Sequence, residues 1–297
     1  MIGFYLFLAL EKFLMLLPHS WRKALFTGLA KLAYIIDKKH RLVIKQNLQF
    51  IYGDDVDASL VEEVSRYAYK NLALNVLFTI ERRYLSLQEL KEKVTFENIE
   101  HAEKVLAEGR PVIYTAAHFG QWEVGGSAIG AFVEPLVVIY KVMSNPHFEK
   151  YLLESRGKFG ITNVAHHGAL KPLIKQLRKK GSIALLGDTK TSERDGVSVD
   201  FLGKPTTQVT TPAVLARKLD AAIIPVISYT DDNENYVVKF FEEIEVSKTD
   251  DEDIAVQKAT QGLADWLTKA VYDDPKQWFW LHRRWKSDYP EIYETKS

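Results

Sequence analysis

The sequence predicts an α/β fold: a mixed, largely parallel central sheet flanked by helices, preceded by an N-terminal helical, membrane-associating extension. Three observations carry this. From about residue 95 onward, short runs rich in Val and Ile alternate with longer segments of helical apolar period, the pattern of strands joined by crossover helices. The first third of the chain has no strand pattern. No long linker, low-complexity segment or convincing repeat interrupts the 297 residues, 46% of which are apolar, so one large core is available.

The elements follow in order. Ile2 to Leu17 is apolar, interrupted by Glu11 and Lys12 and ended by Pro18. It is too short and too charged for a membrane-spanning helix of about 20 residues, and it lacks the basic start and cleavage site of a signal peptide. A second apolar stretch, Ala24 to Ile36, lies between Trp21-Arg22-Lys23 and the basic cluster Lys38-Lys39-His40-Arg41. Apolar helices flanked by tryptophan and basic residues suit a lipid interface; a buried helical hairpin is the alternative. Residues 1–40 are therefore read as membrane-associating helices and 41–297 as a single α/β domain. Arg41 to Tyr52 reads as a helix. Asp54 to Glu81 reads as a longer one, with Leu60, Val64, Tyr67, Leu72 and Val76 in three-to-four period. Tyr84 to Val94 is less regular.

Thr95 to Ile99 reads as a short strand and Glu100 to Glu108 as a helix stopped by Gly109. The apolar run from Pro111 forms a buried strand that stops at His118, and Val124 to Phe132 forms a tightly packed helix of small residues. Then come a strand over Leu136 to Tyr140, a helix opened by Asn145-Pro146, a strand over Ile161 to Val164, and a helix over Leu170 to Lys180. Ser182 to Gly187 is a strand that delivers Asp188. Val197 to Phe201 leads into Gly203-Lys-Pro205, and Val209 to Leu219 is a helix. Strands over Ala222 to Tyr229 and Tyr236 to Phe241 precede a final helix over Ile254 to Val271.

Composition narrows the chemistry. Formal net charge is zero, which argues against a general nucleic-acid binder. There is no cysteine, so disulfides, thiol catalysis and zinc-thiolate sites are excluded, and a cytoplasmic setting fits. The chemistry-bearing residues collect where strands end, the edge at which open α/β sheets bind ligands. His118 and Glu123 are five apart, about 140° on a straight helix. They meet only if His118 lies in the turn and Glu123 in the first helical turn. Glu123 then accepts a hydrogen bond from one ring nitrogen and leaves the other free as a base; a capping carboxylate beside an unrelated histidine is the alternative. Arg156 lies late in a helix and Asp188 ends a strand; a solvated side chain and a turn cap are their plainer readings, as for Arg217. His166-His167 before Gly168 reads as a loop, not a metal site. The stretch Trp278 to Trp285 reads as core packing or as an interfacial aromatic belt.

Taken together, these residues resemble the bacterial lipid A biosynthesis late (secondary) acyltransferase family over nearly the whole chain. The resemblance rests on Arg41 with Asn47-Leu48, the core His118-Phe-Gly-Gln-Trp-Glu123, Arg156, and Leu185-Leu-Gly-Asp188. It continues through Val199-Asp-Phe-Leu-Gly-Lys-Pro205, Pro212 to Ala216, Ile223-Ile-Pro225 and Pro275 to Lys286. Gln121, where many members carry asparagine, and Leu202, where phenylalanine is usual, depart from the pattern.

The resemblance implies a glycerolipid-acyltransferase-like fold. It implies an O-acyltransferase that moves a fatty acyl chain from the thioester of acyl carrier protein to a hydroxyl of a Kdo-bearing lipid A precursor, lipid IVA. The setting would be the cytoplasmic face of the inner membrane. No cofactor or metal is implied, and the enzyme would act as a monomer. His118 would be the base and Glu123 its partner. Arg156 would bind an anionic group, and Asp188 would orient Arg156 or contact the acceptor. A hydroxyl needs a base to become a nucleophile, whereas a thiol leaving group of pKa about 8.5 needs little acid assistance. Backbone N–H groups after His118 would stabilise the oxyanion. The rivals are a same-superfamily enzyme with another glycolipid or lysophospholipid acceptor, a non-catalytic lipid-binding scaffold, and a metal-dependent hydrolase with Asp188 as a second ligand.

Overall fold

The structure is a computed structural model that describes residues 2–231 and 235–294. Five helices open the chain: α1 (Ile2–Met15), α2 (His19–Ile36), α3 (Lys38–Tyr52), α4 (Ala58–Glu81) and α5 (Leu87–Lys93). α5 lies in the stretch expected to be irregular. It starts at a capping box, with the Ser86 hydroxyl on the Glu89 N–H and the Glu89 carboxylate on the Ser86 N–H. That pairing satisfies two N–H groups a short helix otherwise exposes.

Strands and helices then alternate: β1 (Val94–Glu97), α6 (Glu100–Ala107), β2 (Val112–Gly120), α7 (Trp122–Phe132), β3 (Leu136–Tyr140), α8 (Pro146–Gly157), β4 (Ile161–Ala165), α9 (Leu170–Arg178) and β5 (Ser182–Leu186). A hairpin follows, β6 (Gly196–Phe201) and β7 (Lys204–Val209), then α10 (Thr211–Leu219), β8 (Ala222–Thr230), β9 (Tyr236–Phe240) and α11 (Glu252–Asp273). β7 occupies residues expected to be a turn and a helix start. Pro205 demotes a strand in sequence reading because it cannot donate to a ladder, but here it sits in a two-stranded hairpin opposite Asp200.

The seven-stranded sheet has the order β1-β9-β8-β2-β5-β3-β4. All neighbours are parallel except β8 and β9, so the fold is the mixed, largely parallel α/β sheet expected. Side chains of β2 alternate between its two covered faces. Val112 and Tyr114 pack with Ala128 and Ile129 of α7, whereas Ile113 packs with Leu173 of α9 and Leu215 of α10. Both faces are buried, which explains the near-continuous apolar strands. Trp278, Trp280 and Trp285 are wholly buried in the cluster joining α3, α4, the hairpin and α11. The C-terminal aromatic stretch is therefore core, not an interfacial belt, although Phe279 turns toward His118.

Among the described residues no helix is long and apolar enough to cross a membrane. α1, with 14 residues, spans about 21 Å against a hydrocarbon core of about 30 Å. Apolar side chains nonetheless face outward: Leu6, Leu10 and Phe13 from α1, Leu16 just after it, and Trp21, Leu25, Leu29, Leu32 and Ile36 from α2. Glu11, which interrupts the apolar run, is turned inward. It is 3% exposed, accepts a 2.9 Å hydrogen bond from the Tyr151 hydroxyl of α8 and faces Arg83 at 3.5 Å.

Candidate active site

β2 and β5 are hydrogen-bonded neighbours, with Ala116 opposite Leu186. Two residues further along each chain stand His118 and Asp188. His118 lies in an irregularity of β2, where four residues from Ala116 to Gly120 advance against two of β8. Such a bulge re-aims a side chain and ends the ladder. Gly120 closes it at φ +51°, and a Cβ there would lie 2.2 Å from the Ser228 carbonyl oxygen, so no other residue fits. Asn71 and Asn75 of α4 donate to the Gly120 carbonyl at 2.8 and 3.0 Å and hold this turn from the other side.

The His118 Nδ1 lies 2.9 Å from Asp188 Oδ1. The other carboxylate oxygen accepts from the His118 backbone N–H at 2.9 Å and from the Trp278 indole N–H at 3.0 Å. Nδ1 is thus the protonated nitrogen, and Nε2 has no partner among the described residues. Burial disfavours the imidazolium, but the Asp188 carboxylate, joined by that of Glu123, outweighs it and raises the His118 pKa above its ordinary value. Burial likewise opposes the charge on Asp188, and the His118 imidazolium and N–H donors overcome it and lower its pKa. Trp122 and Phe279 flank the imidazole with ring centroids at 5.3 and 5.8 Å.

Glu123 is not hydrogen-bonded to His118. It stands in the first turn of α7, where the helix dipole favours a carboxylate, and it joins two arginines. Arg156 of α8 grips it with Nε, at 3.2 Å, and with Nη2. Arg82, at the end of α4, donates from Nη1 at 3.2 Å. Burial raises the Glu123 pKa, but the two guanidiniums reverse this and leave it below its ordinary range. The partners expected from sequence are therefore exchanged. Asp188 holds His118 rather than orienting Arg156, and Glu123 orients Arg156 rather than His118. The five-residue spacing of His118 and Glu123 brings both to one cavity, but strand adjacency supplies the nearer carboxylate.

Arg82 was not singled out by sequence. It is wholly buried, with Nε on Ser155 at 3.1 Å and Nη1 on Ser127 at 3.0 Å. An arginine at the end of a long amphipathic helix carries no local mark of burial. Of the backbone N–H groups after His118, three are engaged: Gln121 N–H donates to the Ser228 carbonyl, Glu123 N–H to Asn75 Oδ1 and Val124 N–H to the Gln121 carbonyl. Arg156 borders the same cavity, and its Nη1 has no hydrogen-bond partner among the described residues, Nε and Nη2 being held by Glu123.

That cavity has a volume of about 450 Å³ and runs from His118 between the sheet and α7, within the range of small-ligand sites. Its inner wall is apolar or small: Ala116, Gly125, Gly126, Ile129, Val138 and Ala184. His118, Glu123 and Arg156 line it, with Lys141 and His166 among the further lining residues. Among the described residues no group of three or more His, Asp or Glu side chains converges as a metal site requires. Arg217 lies elsewhere, donating to the carbonyls of Ser247 and Asp250.

A family model for bacterial lipid A biosynthesis acyltransferases matches residues 1–287. The chain belongs to this family. It is 24% identical to a lipid A biosynthesis acyltransferase of Haemophilus influenzae over 86% of this chain and 80% of that protein. It is 23% identical to the lipid A biosynthesis lauroyltransferase of Escherichia coli over 91% and 87%. It is also 25% identical to a phosphatidylinositol mannoside acyltransferase of Mycolicibacterium smegmatis over 67% of this chain, a match that spans 64% of that relative's length. The family relation thus reaches acyltransferases named for two different glycolipids.

Proposed function

We propose that this protein transfers a fatty acyl chain from the thioester of acyl carrier protein to a hydroxyl of a Kdo-bearing lipid A precursor. The observation that carries the reading is the His118–Asp188 pair at one end of an apolar cavity, beside outward-facing apolar stripes that suit the inner membrane. The acyl chain lies in the cavity with its thioester carbonyl near His118. His118 Nε2 removes the acceptor hydroxyl proton as the oxygen attacks the carbonyl carbon. Asp188 holds the tautomer and stabilises the imidazolium. The free Nη1 of Arg156 faces the developing oxyanion, a cationic donor fixed in advance by Glu123. The C–S bond then breaks, and the imidazolium returns its proton to the leaving thiolate. No covalent enzyme intermediate is needed.

The test uses the full chain in detergent, an acyl carrier protein donor and lipid IVA bearing Kdo, read by mass spectrometry. The expected product is heavier by one acyl group, and its formation is abolished in His118→Ala. No product in the wild type, or product at the wild-type rate in His118→Ala, overturns the reading. The mycobacterial relative favours one second reading, a mannosylated phosphatidylinositol acceptor, and the same assay with that lipid separates the two.

A further inference from the structure

We propose that Lys141 and His166 form a phosphate-binding rim for the acceptor's lipid headgroup. The inference rests on the acyltransferase reading above and assigns the acceptor's phosphate to residues other than Arg156. A phosphate needs cationic or N–H donors that are not already committed. Arg82 is wholly buried and shares Glu123 with Arg156, and the remaining free donor of Arg156, Nη1, is assigned above to the oxyanion beside His118.

Lys141 and His166 are differently placed. β3 and β4 are parallel with Tyr140 opposite Ala165, and the ladder continues one step further, the His166 N–H donating to the Tyr140 carbonyl at 2.9 Å. Lys141 and His166 are therefore side by side just beyond the carboxyl ends of their strands, the edge that also bears His118 and Asp188. Both border the catalytic cavity and both are exposed. Lys141 has no carboxylate partner among the described residues, and the carboxylate of Glu149 on α8 is taken by the Met143 N–H at 2.7 Å and the Tyr140 hydroxyl at 3.3 Å. The imidazole ring of His166 lies against that of His167, with centroids 3.7 Å apart. An imidazole offers an N–H donor in either protonation state.

In the order β2-β5-β3-β4, the rim stands two and three strands from His118, roughly 10–15 Å away at the usual strand spacing. That is a headgroup's reach between a phosphate and a reacting hydroxyl. The surroundings favour a lipid over the carrier protein as the phosphate's source. Val142 and Met143, which follow Lys141, are exposed. Phe4 of α1 stacks on His147 and meets Phe148 edge-on at the start of α8, so α1 packs on the helix that follows Lys141 in the chain.

The test measures binding and turnover separately. The probes are lipid IVA and its phosphatase-treated form in detergent micelles, titrated calorimetrically against the full chain, with acyl transfer followed in parallel. Wild type is expected to prefer the phosphorylated lipid by roughly 10- to 100-fold, the range of charge-assisted hydrogen bonds. Lys141→Gln/His166→Asn is expected to lose that preference, and Lys141→Arg to keep it. A double variant that retains the wild-type preference overturns the proposal, as does a wild type that binds both lipids equally. So does a double variant whose defect lies only in titration with acyl carrier protein, which would assign the rim to the donor's phosphopantetheine. If lipid binds with the expected preference but no acyl group moves, the acyltransferase reading fails while the rim stands.

Discussion

His118 and Asp188 lie seventy positions apart in the chain, and their side chains meet at 2.9 Å because β2 and β5 are hydrogen-bonded neighbours. The imidazole–carboxylate pair is thus made by sheet order, and the second carboxylate, Glu123, holds Arg156 instead.

With His118 as the proposed base, this pair sets the expected pH dependence. A base works in its neutral form, and the His118 pKa is raised above its ordinary 6.5. The rate is therefore expected to rise with pH through a value above 6.5. Asp188→Asn removes the carboxylate that holds the imidazolium and moves this limb to lower pH. It also lowers kcat by on the order of 1,000-fold or more, as loss of the orienting carboxylate does in a catalytic triad. The check is kcat/KM against pH for both proteins; an unmoved limb would remove Asp188 from the role.

Glu123 is expected to matter first for stability. Glu123→Gln leaves Arg82, wholly buried, and Arg156 sharing no carboxylate, and breaking a buried ion pair costs about 3–5 kcal/mol. Arg82→Met/Glu123→Gln should cost less than the sum of the single changes, because the two residues act as a unit. The folded-state pKa of Glu123 lies below its ordinary 4.5, so its stabilising charge is present above 4.5 and is lost as pH falls through the lowered value. Urea unfolding at pH 7 and at pH 3 measures both effects. Additive losses at pH 7 would show that no such unit exists.

The depth of the cavity is set by small residues of α7. A Cβ at Gly126 would meet only Ile161 at an ordinary 3.7 Å, so larger side chains enter the cavity without striking backbone. Gly126→Leu also favours the helix by close to 1 kcal/mol. The variant is expected to stay folded and to shorten the acyl chain transferred. Competition between acyl carrier proteins bearing long and short chains reads this directly; an unchanged product distribution would place the chain elsewhere.

The outward stripe of α2 is expected to bind lipid. Trp21→Ser/Leu25→Ser/Leu29→Ser removes side chains that are about half exposed or more, so the fold has little to lose. Partition onto anionic vesicles should fall by on the order of 10-fold or more, given about 1.5–3 kcal/mol for fully burying one large apolar side chain. Co-sedimentation at low and high salt is the measurement. Equal partition of variant and wild type would exclude this face.

Most of the elements were legible in the sequence because each is decided locally. Short apolar runs marked β2, β3 and β5, and Asn145-Pro146 marked the start of α8. Family motifs pointed to His118, Glu123, Arg156 and Asp188 as functional positions. α5 and β7 were less legible: a two-residue capping box stabilises one, and a hairpin partner tolerates proline in the other.

What the sequence by itself determined was therefore the inventory: an α/β sheet, an apolar N-terminus, and four chemistry-bearing residues at strand and helix ends. Tertiary structure alone decided their pairing. Linear spacing brought Glu123 near His118, but the neighbour of a strand is chosen by hydrogen bonding across the whole sheet. The order β8-β2-β5-β3 set Asp188 beside His118 and aligned the ends of β3 and β4 at Lys141 and His166. Burial of Arg82 was settled in the same way. An arginine can be taken from water only where serines and a carboxylate from other helices already converge, and no local pattern records that convergence.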